Sequence, residues 1–184
     1  AVTSYGEMPM SLSLYEAVVP NWLQILGSVE RLIGKAEQFC ADENLAEDEL
    51  LEVRLAPDML PLGYQIKSCW THSKLALDGA RAGQFSPDMS PYPTSLSACR
   101  AVIEEARKAC TAIDPDELDR IADNRVIFSI KDRFRLDFEV KNFLTSFAVP
   151  NFFFHATTTY DILRWKGVEI GKQDFLGRLR VLPS

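Results

Sequence analysis

Apolar residues recur at helical spacing over four stretches of the chain and alternate with polar ones over a fifth, a pattern that predicts a mostly helical protein carrying one β-hairpin. The first helix spans about 13–41. Ser13-Leu14-Tyr15-Glu16 has the form of a capping box at its start, and Leu23, Leu26, Val29, Ile33 and Ala36 carry its apolar face, with Pro20 as a kink or the true beginning. The acidic tract Asp42 to Glu52 reads as a solvated loop with a short helical turn. Asp58, in the turn-rich segment Leu55 to Leu62, is placed to cap a second helix that runs to about Arg81. Gly83 and a polar, proline-rich linker, Gln84 to Pro93, end that helix. Ser95 or Ser97 opens a third helix with Leu96, Cys99, Ile103, Ala106 and Cys110 inward. Alternation over 125–130 and 133–138 predicts the hairpin, and a fourth helix follows over about 139–166 with Pro150 inside it. Val168 to Gly177 suits an extended tail packed back on the domain.

The fourth helix is the most apolar part of the chain, yet Asn151, His155, Thr158, Thr159 and Ile162 fall on one stripe of it. A buried polar group left unpaired costs roughly 1–3 kcal/mol, so the stripe requires partners or a ligand. Three readings of His155 follow. It is a buried imidazole, one nitrogen donating to a carbonyl or to Gln65 and the other accepting from Thr159 or Tyr160; or a metal ligand; or an acid or base acting on a bound molecule. Gln65 is its orienting partner in the first reading. Asp58 combines its capping role with a place at the mouth of the helices where it could serve a ligand. On the second helix Gln65, Cys69, His72 and Ala76 share a stripe, so His72 can point inward and Cys69 beside it is a thin thiolate–imidazole candidate. The run Phe152-Phe153-Phe154 spreads around the fourth helix, which places that helix centrally or against a second subunit and predicts a homodimer.

Composition narrows the classes. With 184 residues, 47% of them hydrophobic, the chain suits a single domain, taken as 8–184, with 1–7 as an N-terminal extension or cloning remnant expected to be poorly ordered. A net charge of −6 without a basic stripe argues against nucleic acid and anionic membrane surfaces. No apolar run approaches the ~20 residues of a membrane span and no secretory signal opens the chain, so a cytoplasmic protein is expected. Cys40, Cys69, Cys99 and Cys110 form no CxxC pair, which signals neither a zinc site nor a disulfide framework. Nucleophile elbow, phosphate-binding glycine loop and paired catalytic carboxylates are missing too, so whether the protein is an enzyme stays open.

Met10-Ser11-Leu12-Ser13-Leu14-Tyr15, Arg54-Leu55-Ala56-Pro57-Asp58-Met59 with Pro61-Leu62 and Gln65, Pro150 to His155, Tyr160 to Arg164 and Gly171 to Gly177 together resemble DUF1993. This is an uncharacterised family of the DinB/YfiT-like group of four-helix bundles. The resemblance implies an antiparallel bundle of about four long helices with the hairpin before the last, often dimeric. It also implies a divalent transition metal, zinc, nickel or iron, on three histidines, one from the second helix and two from an HxxxH pair. Here the pair is incomplete: His155 matches its first position but Thr159 stands at the second, and with only His72 besides, the expectation is a weak metal or none. Two functions follow as expectations: a small molecule or weakly held metal in an inter-helix cavity near His155, as in a degenerate relative of thiol-dependent transferases; or a non-catalytic dimeric bundle whose polar stripe fixes helix register.

Overall fold

Ser13 and Glu16 form the reciprocal cap that their spacing predicts, each side chain accepting the other's amide at 3.0 Å. From this cap α1 (Leu14–Asp42) runs unbroken through Pro20. The computed structural model describes residues 12–131 and 134–182. The N-terminal extension and the Met10 and Ser11 matches lie outside the described residues, as does Arg133, where the alternation starts the second hairpin strand. One face of α1 buries Trp22, Leu26, Val29, Leu32 and Ile33 completely, each contributing roughly 1.5–3 kcal/mol of apolar burial. Trp22 meets Phe152 with ring centroids 6.0 Å apart.

The acidic tract does more than solvate. It contains α2 (Glu47–Leu51), which buries Leu50 and Leu51, and Glu47 Oε2 accepts the Leu96 amide at 2.8 Å. That carboxylate joins Ser95 in capping α5 (Leu96–Thr111). Between them the second predicted helix comprises α3 (Leu62–Trp70), a π-helical turn over Thr71–Leu75, and α4 (Ala76–Ala82), ended by Gly83 at φ +70°. The linker that follows holds an unforeseen strand, β1 (Gln84–Phe85). A Cβ on Gly79 would stand 2.9 Å from Phe85 Cβ, so β1 can lie against α4 because residue 79 has no side chain.

After α6 (Pro115–Arg120), β2 (Arg125–Ile130) and β3 (Phe134–Glu139) form the predicted hairpin. Its register pairs Val126 with Phe138, Phe128 with Leu136 and Ile130 with Phe134, which collects six apolar residues on one face. Because β1 adds in parallel to β2, the hairpin is two-thirds of a mixed sheet ordered β1-β2-β3. The fourth helix is likewise composite: α7 (Val140–Asn142), a second π-helical turn over Phe143–Ala148, and α8 (Val149–Trp165), which starts beside Pro150.

Within α8 the three phenylalanines separate. Phe152 is fully buried, Phe153 is half-buried against the core and Phe154 is 55% exposed. One chain therefore absorbs two of the rings that suggested a second subunit. The tail differs from expectation too, since it carries α9 (Lys172–Leu176) rather than running extended throughout. Asp174 holds it by accepting the Gly171 amide at 2.7 Å and pairing with Lys35 at 3.3 Å. Among the described residues no helix is long and apolar enough to cross a membrane.

Candidate functional site

Gln65 lies on the first full turn of α3, and its side chain is fixed at both ends. Nε2 donates to the Leu60 carbonyl at 2.8 Å, which leaves Oε1, 2.7 Å from His155 Nδ1, as an acceptor. The proton of the neutral His155 ring therefore belongs on Nδ1, and Nε2 keeps its lone pair. His72, on the first π-helical turn, lies alongside: the two imidazoles are stacked with centroids 5.4 Å apart and planes within 10°. Edges of Tyr64 and Phe154 approach His155 at 6.0 and 5.2 Å, while Phe147, from the second π-helical turn, meets His72 at 5.8 Å. Each π-helical turn thus delivers one ring to the same place, as such turns often do at functional sites.

Both imidazoles are neutral at pH 7. Burial pushes His155 down to about 4, and burial together with the neighbouring His155 pushes His72 down to about 3. His72 Nδ1 is buried with no hydrogen-bond partner among the described residues. A buried N–H without an acceptor is the costlier arrangement, so the His72 proton belongs on Nε2. Gln65→Glu would set a carboxylate beside Nδ1 and is expected to lift the His155 pKa to ~6.5 or above. A proton NMR titration of the ring Hε1 reads that value, and an unmoved pKa would mean that residue 65 does not reach the ring.

The other sequence candidates do not converge here. Asp58 is exposed in the 56–59 turn and caps nothing, for α3 begins at Leu62 with Pro61 before it and no side-chain cap. The intervening residues Met59, Leu60 and Pro61 carry the chain past the position from which Asp58 could reach the first amides. Thr159 Oγ1 donates to the His155 carbonyl at 2.9 Å, Thr158 Oγ1 to the Phe154 carbonyl at 2.8 Å, and Asn151 Nδ2 to the Phe147 carbonyl at 2.7 Å. These polar groups satisfy themselves on their own helix, and only His155 reaches across. Tyr160 packs on Phe175 of the tail, 5.9 Å away. Arg164 donates to the Ile170 carbonyl at 2.7 Å. The Cys69 thiol donates to the Gln65 carbonyl at 3.6 Å and burial pushes its pKa far up, so the thiolate–imidazole pair with His72 does not exist.

The metal that the resemblance implies does not fit this donor set. Catalytic zinc takes three protein ligands, and no group of three His, Cys, Asp or Glu side chains gathers among the described residues. The hydroxyl at the missing histidine's position is committed to a main-chain carbonyl.

The profile described as "Domain of unknown function (DUF1993)" matches residues 14–176, nearly the whole described chain. The chain belongs to this family. A crystal structure of a DinB family member from Shewanella denitrificans superposes on this DUF1993 protein with a TM-score of 0.78 at 26% identity, covering 93% of this chain and 96% of that one. No curated protein matches. The DUF1993 chain is thus mostly helical with a small sheet and DinB-like, as its sequence resemblance implies. Sequence reasoning singled out His155 and Gln65 as partners and let His72 point inward, but it did not foresee that the two imidazoles stack. The seven-residue step from Gln65 to His72, two helical turns on one face, is what carried the inward placement. Phe147 and Phe85 carried no such signal, because their approach to His72 depends on the sheet and on the second π-helical turn.

Proposed function

We propose that the His72–His155 pair is a metal-free binding site for a small molecule that carries a hydrogen-bond donor and acceptor side by side on a flat, apolar body. One observation carries this reading: Gln65, held by Leu60, fixes the His155 proton on Nδ1 and leaves the Nε2 lone pair free beside a second neutral imidazole. His155 Nε2 accepts from the ligand, and the Nε2–H of His72 donates to it. The rings of Tyr64, Phe147 and Phe154 supply apolar walls. A primary amide has the matching pair of groups. The scaffold is proposed to work in the cytoplasm and to be an antiparallel bundle of four long helices, the bundle being supported by contacts of α1 with α5 and α8, and of α3 with the same two.

Benzamide is the probe and N,N-dimethylbenzamide, which lacks the donor, is its control. Benzamide is expected to shift the His155 Hε1 resonance saturably at millimolar concentration, and the control to bind at least about tenfold more weakly. Asp58→Ala leaves benzamide binding unchanged, whereas His155→Ala removes the accompanying shift of the His72 Hε1 resonance. Equal binding of both probes, or no shift with either, would reduce the pair to a structural contact that fixes helix register, the competing reading of the same stripe.

A further inference from the structure

β3 is the outer strand of the sheet, and no described strand pairs with its far edge. The Ile127 amide donates to the Gly83 carbonyl at 3.0 Å, on the β1 side, so the even-numbered residues of β2 bond to β3. On β3 the odd-numbered Arg135 and Asp137, paired across from Ser129 and Ile127, therefore turn their N–H and C=O groups away from β2. Side chains alternate in the same register. Phe134, Leu136 and Phe138 share a face with Ile130, and Arg135 and Asp137 share the other. Although the apolar face is the one that carries the buried Val126 and Phe128, Phe134 and Leu136 are 50% and 40% exposed. The helices stop short of the sheet's outer edge.

Read outward from Leu136, the strand is its own antiparallel complement. Arg135 and Asp137 stand one step to either side, and Phe134 and Phe138 two steps. The geometry points to a second copy of this chain, docked by antiparallel pairing of β3 with β3 about a two-fold axis at Leu136. In that register Arg135 faces Asp137 of the second copy, and the two residues whose main-chain groups turn outward exchange both hydrogen bonds. Each Phe134 meets a Phe138 on the apolar face, and the two Leu136 side chains meet on the axis. Arg135 and Asp137 are now paired within one strand at 3.2 Å, and Asp137 with Arg125 at 2.9 Å, all of them well exposed and free to exchange partners at little cost. Charges on an edge strand ordinarily deter pairing with other chains. Here they deter strands of other sequence and match a copy. This inference does not depend on the ligand proposed above, and it moves the expected dimer contact from the fourth helix to the sheet.

The test is sedimentation velocity from about 5 to about 500 µM with a charge-exchange set. The wild-type chain is expected to dimerise within that range. Arg135→Asp and Asp137→Arg, each alone, set like charges opposite one another across the axis and are expected to weaken dimerisation at least about tenfold. Their equimolar mixture restores a dimer, because the doubly acidic strand of one variant then faces the doubly basic strand of the other, with opposite charges at both cross-strand positions, while each chain keeps its own like-charged pair. Only pairing between chains predicts that recovery. Arg135→Pro removes one outward N–H, a substitution an edge strand tolerates, and is expected to be monomeric with an unchanged circular dichroism spectrum. A wild-type monomer throughout overturns the proposal, and so does a dimer that survives in both single variants without gain on mixing.

Discussion

Urea unfolding is expected to give a stability that is level from about pH 6.5 to about 8 and falls steadily as the pH drops toward about 4. His155 and His72 titrate near 6.5 when unfolded but at about 4 and about 3 when folded, so between those limits the unfolded chain binds protons that the folded chain refuses. The slope of stability against pH is therefore positive in that window, and the contribution is complete above it. For His155 alone the loss amounts to about 3 kcal/mol by pH 4, and His72 adds to it through the same window. Such a loss is a large share of the ~5–15 kcal/mol that holds a domain together. Asp114, Glu117, Asp137 and Asp174 have lowered carboxyl pKa values, so their contributions disappear at still lower pH. A His72→Phe variant should flatten the curve between about pH 6.5 and 4. A wild-type stability unchanged from pH 7 to 5 would show that the stacked pair is not buried in solution.

Phe143→Ala is expected to cost about 3–5 kcal/mol, read as a lower urea midpoint at constant m value. The ring is fully buried on the second π-helical turn and touches Phe85 at 5.3 Å, Phe147 at 5.6 Å and Phe138 at 6.0 Å. It thereby ties together three rings from separate elements: Phe85 from β1, Phe138 from β3, and Phe147, which carries the contact to His72. Removing it leaves a cavity bounded by the sheet on one side and the helices on the other, where collapse is opposed from both. Phe147 loses its flanking ring at the same time, so benzamide binding should weaken in the variant under conditions where it remains folded. A cost below about 1 kcal/mol would mean that the sheet is not packed on the π-helical turn.

How much of the site could be read in advance depends on how local each contact is. His155 and Gln65 were legible because a polar residue in an apolar helical stripe demands a partner, and the second helix offers an amide on its own inward stripe. Thr158 and Thr159 were legible as polar but not as inert, for a hydroxyl in a helix can satisfy itself on the carbonyl four residues back. Asp58 failed for a positional reason: capping depends on which residue precedes the first helical one, and element boundaries are the least certain feature of a periodicity. His72 was legible as inward-facing from the stripe it shares with Gln65, whereas its stacking on His155 depends on the π-helical turn, which no local spacing announces.

Local signals specified the long helices, the serine caps of α1 and α5 and the hairpin, because helical and alternating periods, serine caps and glycine stops act over a few residues. The sequence by itself also determined the family, whose residues stand in order along nearly the whole chain. Tertiary structure alone decided that a two-residue strand from the linker joins the hairpin in parallel, that Gly79 makes room for it, and that rings from β1 and both π-helical turns converge beside the histidine pair. Those features rest on contacts between segments far apart in the chain. Their free energy arises from packing among many partners rather than from any local preference, so no single stretch carries their signature.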